Sequence, residues 1–107
     1  MSISLYYGCR YGKIDIVRYS LNQGAVDIND VNVAMCRAIE GGYMDIVVLL
    51  LEHGANDFNE FISCAAKNGQ TRIVELMLEK ADNIEVAMYK ASKHNHTDIV
   101  NLLVSSQ

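Results

Sequence analysis

The sequence predicts an all-α fold, a helix-turn-helix solenoid of about four units. Three observations lead there. One pattern recurs four times, with its isoleucines at Ile16, Ile46, Ile73 and Ile99, spaced by 30, 27 and 26 residues. Each copy places apolar residues at the three- and four-residue spacing of a helix face, and no useful stretch alternates apolar and polar as a strand would.

The fullest copy runs Gly42-Tyr43-Met44-Asp45-Ile46-Val47-Val48-Leu49-Leu50-Leu51-Glu52-His53-Gly54-Ala55. Ile46, Val47, Leu50 and Leu51 form a broad stripe that needs a neighbour. The first copy is Gly12-Lys13-Ile14-Asp15-Ile16-Val17, followed by Leu21 and Gly24-Ala25. The third runs from Gly69 through Ile73-Val74 to Leu78, and the fourth from Asn95 through Ile99-Val100 to Leu103. Asp15, Asp45 and Asp98 sit one residue before the isoleucine, where the free amides of a first helical turn favour a carboxylate. Gly24 and Gly54 are placed to stop a helix in the left-handed conformation, and Ala81 holds that place in the third copy.

A second helix precedes each of these. It is built around Gly8-Cys9, Ala38-Ile39, Ala65-Ala66 and Ala91-Ser92, each pair eight residues before its isoleucine. Small side chains there let two helices approach closely, and Leu5, Met35, Ile62 and Met88, three residues earlier, extend the same face. Asp57 with Glu60 and Asp82 with Glu85 have the spacing of a capping box at a helix start. A single helix pair cannot bury its own apolar face, so consecutive pairs are expected to stack around a shared core. The expected organisation is one domain, 1–107, with units of approximately 1–29, 30–57, 58–82 and 83–107.

Ala65-Ala66-Lys67-Asn68-Gly69 followed by Ile73-Val74-Glu75-Leu76-Met77-Leu78, and Gly54-Ala55-Asn56 after Leu49-Leu50-Leu51, resemble the ankyrin repeat over nearly the whole chain. The family's Thr-Pro-Leu-His turn is missing from every copy, and the units fall short of the usual repeat of about 33 residues. The shortfall lies between Gly54 and Ile62 and between Ala81 and Met88, where the family places a protruding hairpin. The resemblance therefore implies ankyrin-like repeats without fingers, binding through the helices alone. Tetratricopeptide repeats fit less well, since their small-residue and aromatic pattern differs.

Composition narrows the function. At 107 residues and 50% hydrophobic, the chain can bury a core, and the lack of proline leaves turns to Gly, Asn and Asp. A formal charge of −4 gives no overall attraction to nucleic acid or an anionic membrane. The apolar run Ile46–Leu51 is far shorter than the roughly 20 residues a bilayer needs. Three cysteines without a C-x-x-C pair, and no secretory pattern at the start, point to reduced thiols and an intracellular, cytoplasmic setting, with the nucleus left open.

The residues expected to project from the first helices are Tyr7, Arg10 and Tyr11; Arg37 and Glu40; Cys64, Lys67 and Asn68; Lys90, Lys93 and His94. Five of the nine Lys and Arg residues are in this set against one acid, Glu40. Such a ladder of cations, with Tyr7 and Tyr11 as aromatic anchors, fits an acidic peptide or protein surface; a merely solvated face fits as well. His94 and His96 with Cys64 lack the four-ligand spacing of structural zinc. Cys9 stands in a small pair as a core filler, and Cys36 and Cys64 are expected to pack or to line the inner face. No nucleophile-and-base spacing, phosphate loop or paired carboxylate stands out. The expected function is a non-catalytic protein-interaction module, without cofactor or metal, that reads its partner through the concave face of the first helices. Self-association end to end, through the apolar last helix from Ile99 to Val104, is the alternative; nucleic acid ranks below an acidic protein.

Overall fold

The structure is a computed structural model that describes residues 2–24 and 26–107. Among them are eight helices and no strand: α1 Ile3–Tyr11, α2 Ile14–Asn22, α3 Ile28–Gly41, α4 Met44–Glu52, α5 Phe58–Lys67, α6 Thr71–Leu78, α7 Glu85–Lys93 and α8 Thr97–Ser105. None is long and apolar enough to cross a membrane. The chain divides into two compact units, Met1–Asn56 and Asp57–Gln107. Ala25, expected to follow the stop at Gly24, lies outside the described residues.

The turn inside each helix pair follows from one residue. Gly12, Gly42 and Gly69 take φ near +70°, and Asn95 takes +63° in the same place. Asn is the residue besides Gly that most readily adopts this left-handed conformation. The next residue then donates its N–H back to the first member of the small pair: Lys13 to Gly8 at 2.8 Å, Tyr43 to Ala38 at 3.0 Å, Gln70 to Ala65 at 2.9 Å and His96 to Ala91 at 2.8 Å. This six-to-one bond closes the first helix, and its donor is also the N-cap of the second. The chain reverses within a single tight turn.

In Met1–Asn56, α1 packs on α2 and α3, and α3 packs on α4. A Cβ on Gly8 would lie 2.8 Å from a methyl of Val17, so the small residue sets how closely α1 and α2 meet. Leu5, Val17, Met35, Ile39, Ile46, Val47 and Leu50 are fully buried, each contributing about 1.5–3 kcal/mol of apolar transfer. Tyr43 packs its ring over the backbone of the preceding turn, where a Cβ on Gly12 would meet it at 2.7 Å. Asn32 closes the far end, accepting from the Asn56 N–H and donating to the Asn56 side chain, both at 3.0 Å.

In Asp57–Gln107, α5 packs on α6 and α7, and α7 packs on α8. Phe61, Ile62, Ile73, Val74, Met77, Ile99 and Leu103 are buried. The His96 ring covers Gly69 as Tyr43 covers Gly12, with its Nε2 3.0 Å from the Lys67 carbonyl oxygen. Asn59 stands where Asn32 stands in the other unit. It donates to Asp82 at 2.7 Å and accepts from the N–H groups of Asp82 and Asn83.

Several local expectations need correction. Asp57 is the N-cap of α5 but makes no capping bond with its side chain. Asp82 does not cap α7, which begins at Glu85 with Ile84 as its N-cap; Asp82 accepts from Asn59, and Asn83 accepts from the Glu85 N–H at 3.0 Å. The helices whose N-cap residue itself accepts a bond through its side chain are α1, at Ser2, and α3, at Asp27. With Asp27 as its cap, α3 begins at Ile28, ahead of the boundary expected between 29 and 30. In the fourth copy Met88 is half-buried and Ser92 exposed, and the buried side of α7 carries Ala87 and Ala91, one turn apart.

Candidate functional site

Each first helix shows solvent a stripe at i, i+4 and i+7, positions that share one side of an α-helix. The stripes are Ile3, Tyr7 and Arg10 on α1; Val33, Arg37 and Glu40 on α3; Glu60, Cys64 and Lys67 on α5; Val86, Lys90 and Lys93 on α7. None of these residues is buried. The expected projecting residues therefore all reach the surface at least partly, with Arg37, Cys64 and Lys90 half-buried and the others exposed. Asn68 and His94 are the C-caps of α5 and α7, one residue beyond the helix ends.

Sequence reasoning missed the leading member of each stripe. Ile3 is 81% exposed, Val33 45% and Val86 53%, large apolar side chains with no packing role to match. The signal was present, since each lies four residues before a named candidate. Tyr89, 60% exposed beside Lys93, was missed as well.

In Met1–Asn56 the stripe residues largely engage one another. The rings of Tyr7 and Tyr11 lie 4.9 Å apart between centroids at 49°. Arg10 donates from Nε to the Tyr11 hydroxyl at 3.3 Å, with its guanidinium carbon 5.6 Å from the ring centroid. Hydrogen bonds to Tyr11 and then Tyr6 raise the pKa of Arg10 above its ordinary value, which keeps an already permanent cation charged. Arg37 pairs with Glu40 at 3.2 Å, the one ion pair formed among the described residues, while its buried Nε has no hydrogen-bond partner.

In Asp57–Gln107 the cations are less engaged. Among the described residues no carboxylate pairs with Lys67, Lys90 or Lys93; Lys93 holds its Nζ 5.9 Å from the centroid of Tyr89. Asn68 donates to the Cys64 carbonyl at 2.8 Å, a bond that tightens the end of α5. At the opposite end of the helix pair, Asp57, Asn59, Glu60, Ser63, Asn83 and Val86 line an open depression of about 230 Å³. Its amides and hydroxyl are already committed: Asn59 to the following turn, Asn83 to α7, and Ser63 to the Asn59 carbonyl at 2.9 Å.

Among the described residues no three His, Cys, Asp or Glu side chains come together as a metal site would require. Cys9 and Cys36 are buried and Cys64 is half-buried. Burial pushes the Cys9 thiol up to about 12, so at neutral pH it stays protonated and a poor nucleophile.

No protein-family model matches the chain. An 85-residue alignment that covers 76% of the chain is 32% identical to BCL-6 corepressor-like protein 1 of Homo sapiens. It spans about 4% of the length of that protein.

Proposed function

We propose that the chain is a non-catalytic protein-interaction module of ankyrin-like repeats, engaging its partner through the exposed sides of the first helices α1, α3, α5 and α7. The observation that carries this reading is the set of side chains those helices leave in solvent. In Met1–Asn56, exposed Ile3 and Tyr7 share α1 with Arg10, and Val33 shares α3 with Arg37; in Asp57–Gln107, exposed Val86 and Tyr89 share α7 with Lys90 and Lys93, and Lys67 ends α5. Aromatic and apolar anchors next to unpaired cations are what protein interfaces concentrate. Four helix pairs joined by the same six-to-one turn support the repeat reading, and connections 53–57 and 79–84, without strands, are in keeping with a finger-less form. The likeness of most of the chain to part of a corepressor-like protein suits a binding role.

An acidic protein surface or peptide is the partner class in this reading. The test reverses Arg37, Lys67 and Lys90 to Glu and measures partner capture from cell extract. Capture should fall by about tenfold or more, as rim and anchor charges do at other interfaces; capture left unchanged would sink the basic-ladder idea.

Self-association is the second reading, favoured by Val104, whose side chain on α8 is exposed. Light scattering over a range of concentrations separates the two, a constant monomer mass ruling self-association out.

A further inference from the structure

Building on that reading, we infer that α5 and α7 take a short carboxylate-rich peptide segment across their C-terminal halves, with an aromatic or aliphatic residue beside the carboxylates lying against Tyr89. Lys67 and Lys93 end the stripes of two helices packed side by side, and Lys90 precedes Lys93 by less than a turn. Their ammonium groups have no carboxylate partner among the described residues, so a ligand carboxylate has no internal acid to displace. Lysine presents a point charge on a flexible stem rather than a fixed fork, which suits several carboxylates in a flexible segment. Tyr89, exposed beside Lys93, supplies an apolar ring at the edge of the same patch.

The other end of this face sets the length of the ligand. Glu60 leads the α5 stripe, and Asp57 precedes the helix. Seven residues of helix put Glu60 roughly 10 Å from Lys67 along the axis, about one Debye length at moderate salt. The field therefore changes sign within one face. A nucleic-acid strand or an anionic bilayer extends its charge over the Glu60 end and is repelled there, whereas a segment with a few clustered carboxylates is confined to the lysine end. The face selects a compact acidic cluster over a long polyanion.

Short random peptides displayed on phage can be selected on the full chain, and the enriched sequences measured by fluorescence anisotropy beside an oligonucleotide and an all-glutamate peptide. Enriched peptides should carry clustered Asp or Glu next to an aromatic or aliphatic residue. Replacing Lys67, Lys90 and Lys93 together by Glu should weaken them at least about tenfold, and by Gln to a lesser extent, with helical circular dichroism retained. Glu60→Lys should strengthen the oligonucleotide more than the peptide. The inference is overturned if the oligonucleotide binds the unaltered chain more tightly than the acidic peptides, or if the lysine variants leave peptide affinity intact. Enriched peptides without acidic clusters that are lost on Tyr7→Ala with Tyr11→Ala would overturn it while leaving the interaction module standing. Enrichment of no sequence at all, with no partner captured from extract, would overturn both.

Discussion

The units Met1–Asn56 and Asp57–Gln107 use one plan for folding and two for their surfaces. In each, a left-handed residue turns the chain, a ring from the following turn covers a glycine, and an asparagine ties the end of a helix pair to its start. The exposed stripes differ. On α1 the stripe is apolar and aromatic with Arg10 held by Tyr11, and on α3 Arg37 and Glu40 pair with each other; on α5 and α7, behind Glu60 and Val86, the stripes end in lysines with no carboxylate partner among the described residues. Positions that face a neighbouring helix are held to small or apolar residues by close packing. Positions that face water carry no such constraint, so they can diverge from one helix to the next without disturbing the turn or the core.

The largest test of this contrast lies in the core. Phe61 is fully buried where α3 has Ala34, and its ring meets that of Phe58 edge-on at 5.9 Å. Phe61→Ala should cost roughly 3–5 kcal/mol in denaturant unfolding, with the loss of amide protection in hydrogen exchange centred on Asp57–Gln107. Protection lost equally in Met1–Asn56 would mean that the two cores respond as one.

A smaller effect is expected at the turns. Gly12 and Asn95 occupy equivalent places at positive φ, and Gly12 sits under the Tyr43 ring, 2.7 Å from where its Cβ would be. Asn95→Ala should cost about 1 kcal/mol for the left-handed backbone, whereas Gly12→Ala adds the displacement of Tyr43 and should cost about 2 kcal/mol or more. Equal thermal shifts for the two variants would show that the ring contact carries nothing.

The remaining effect is confined to alkaline pH and vanishes at neutral pH. Burial raises the Cys9 thiol from 9.0 to about 12 in the folded chain. Below pH 9 both folded and unfolded thiols hold their proton and stability is unaffected. Between these values the unfolded chain has released the proton and the folded one has not, so stability falls as pH rises. Cys9→Ala should flatten this part of the alkaline limb of a pH-stability curve; a curve unchanged by the substitution would refute the assignment.

The second helices were the most legible part of the sequence, because stripes such as Ile46, Val47 and Leu50 follow a helical period whatever surrounds them. The turns were half legible. Gly12, Gly42, Gly69 and Asn95 marked where each copy begins, but their part in closing the preceding helix depends on a bond to a carbonyl five residues back, as from Lys13 to Gly8. The capping expectation for Asp82 failed because α7 starts at Glu85, later than a cap at Asp82 requires, and Asp82 is bonded instead to Asn59, 23 residues away. The projecting positions Tyr7, Arg37, Lys67 and Lys90 were legible as surface residues, whereas the exposed apolar residues that open three of the stripes, Ile3, Val33 and Val86, were not. Read alone, an isolated valine near a helix start looks the same whether it is buried or exposed.

By itself, then, the sequence determined an all-α chain of repeated helix pairs, since periodicity, small residues and left-handed stops act over a few neighbouring residues. Only the tertiary structure decided which cations are paired and which stand unpaired, and which glycine lies beneath a ring. These depend on side chains brought together by packing, such as Tyr43 over Gly12 and Asn59 beside Asp82, and no local pattern encodes that approach.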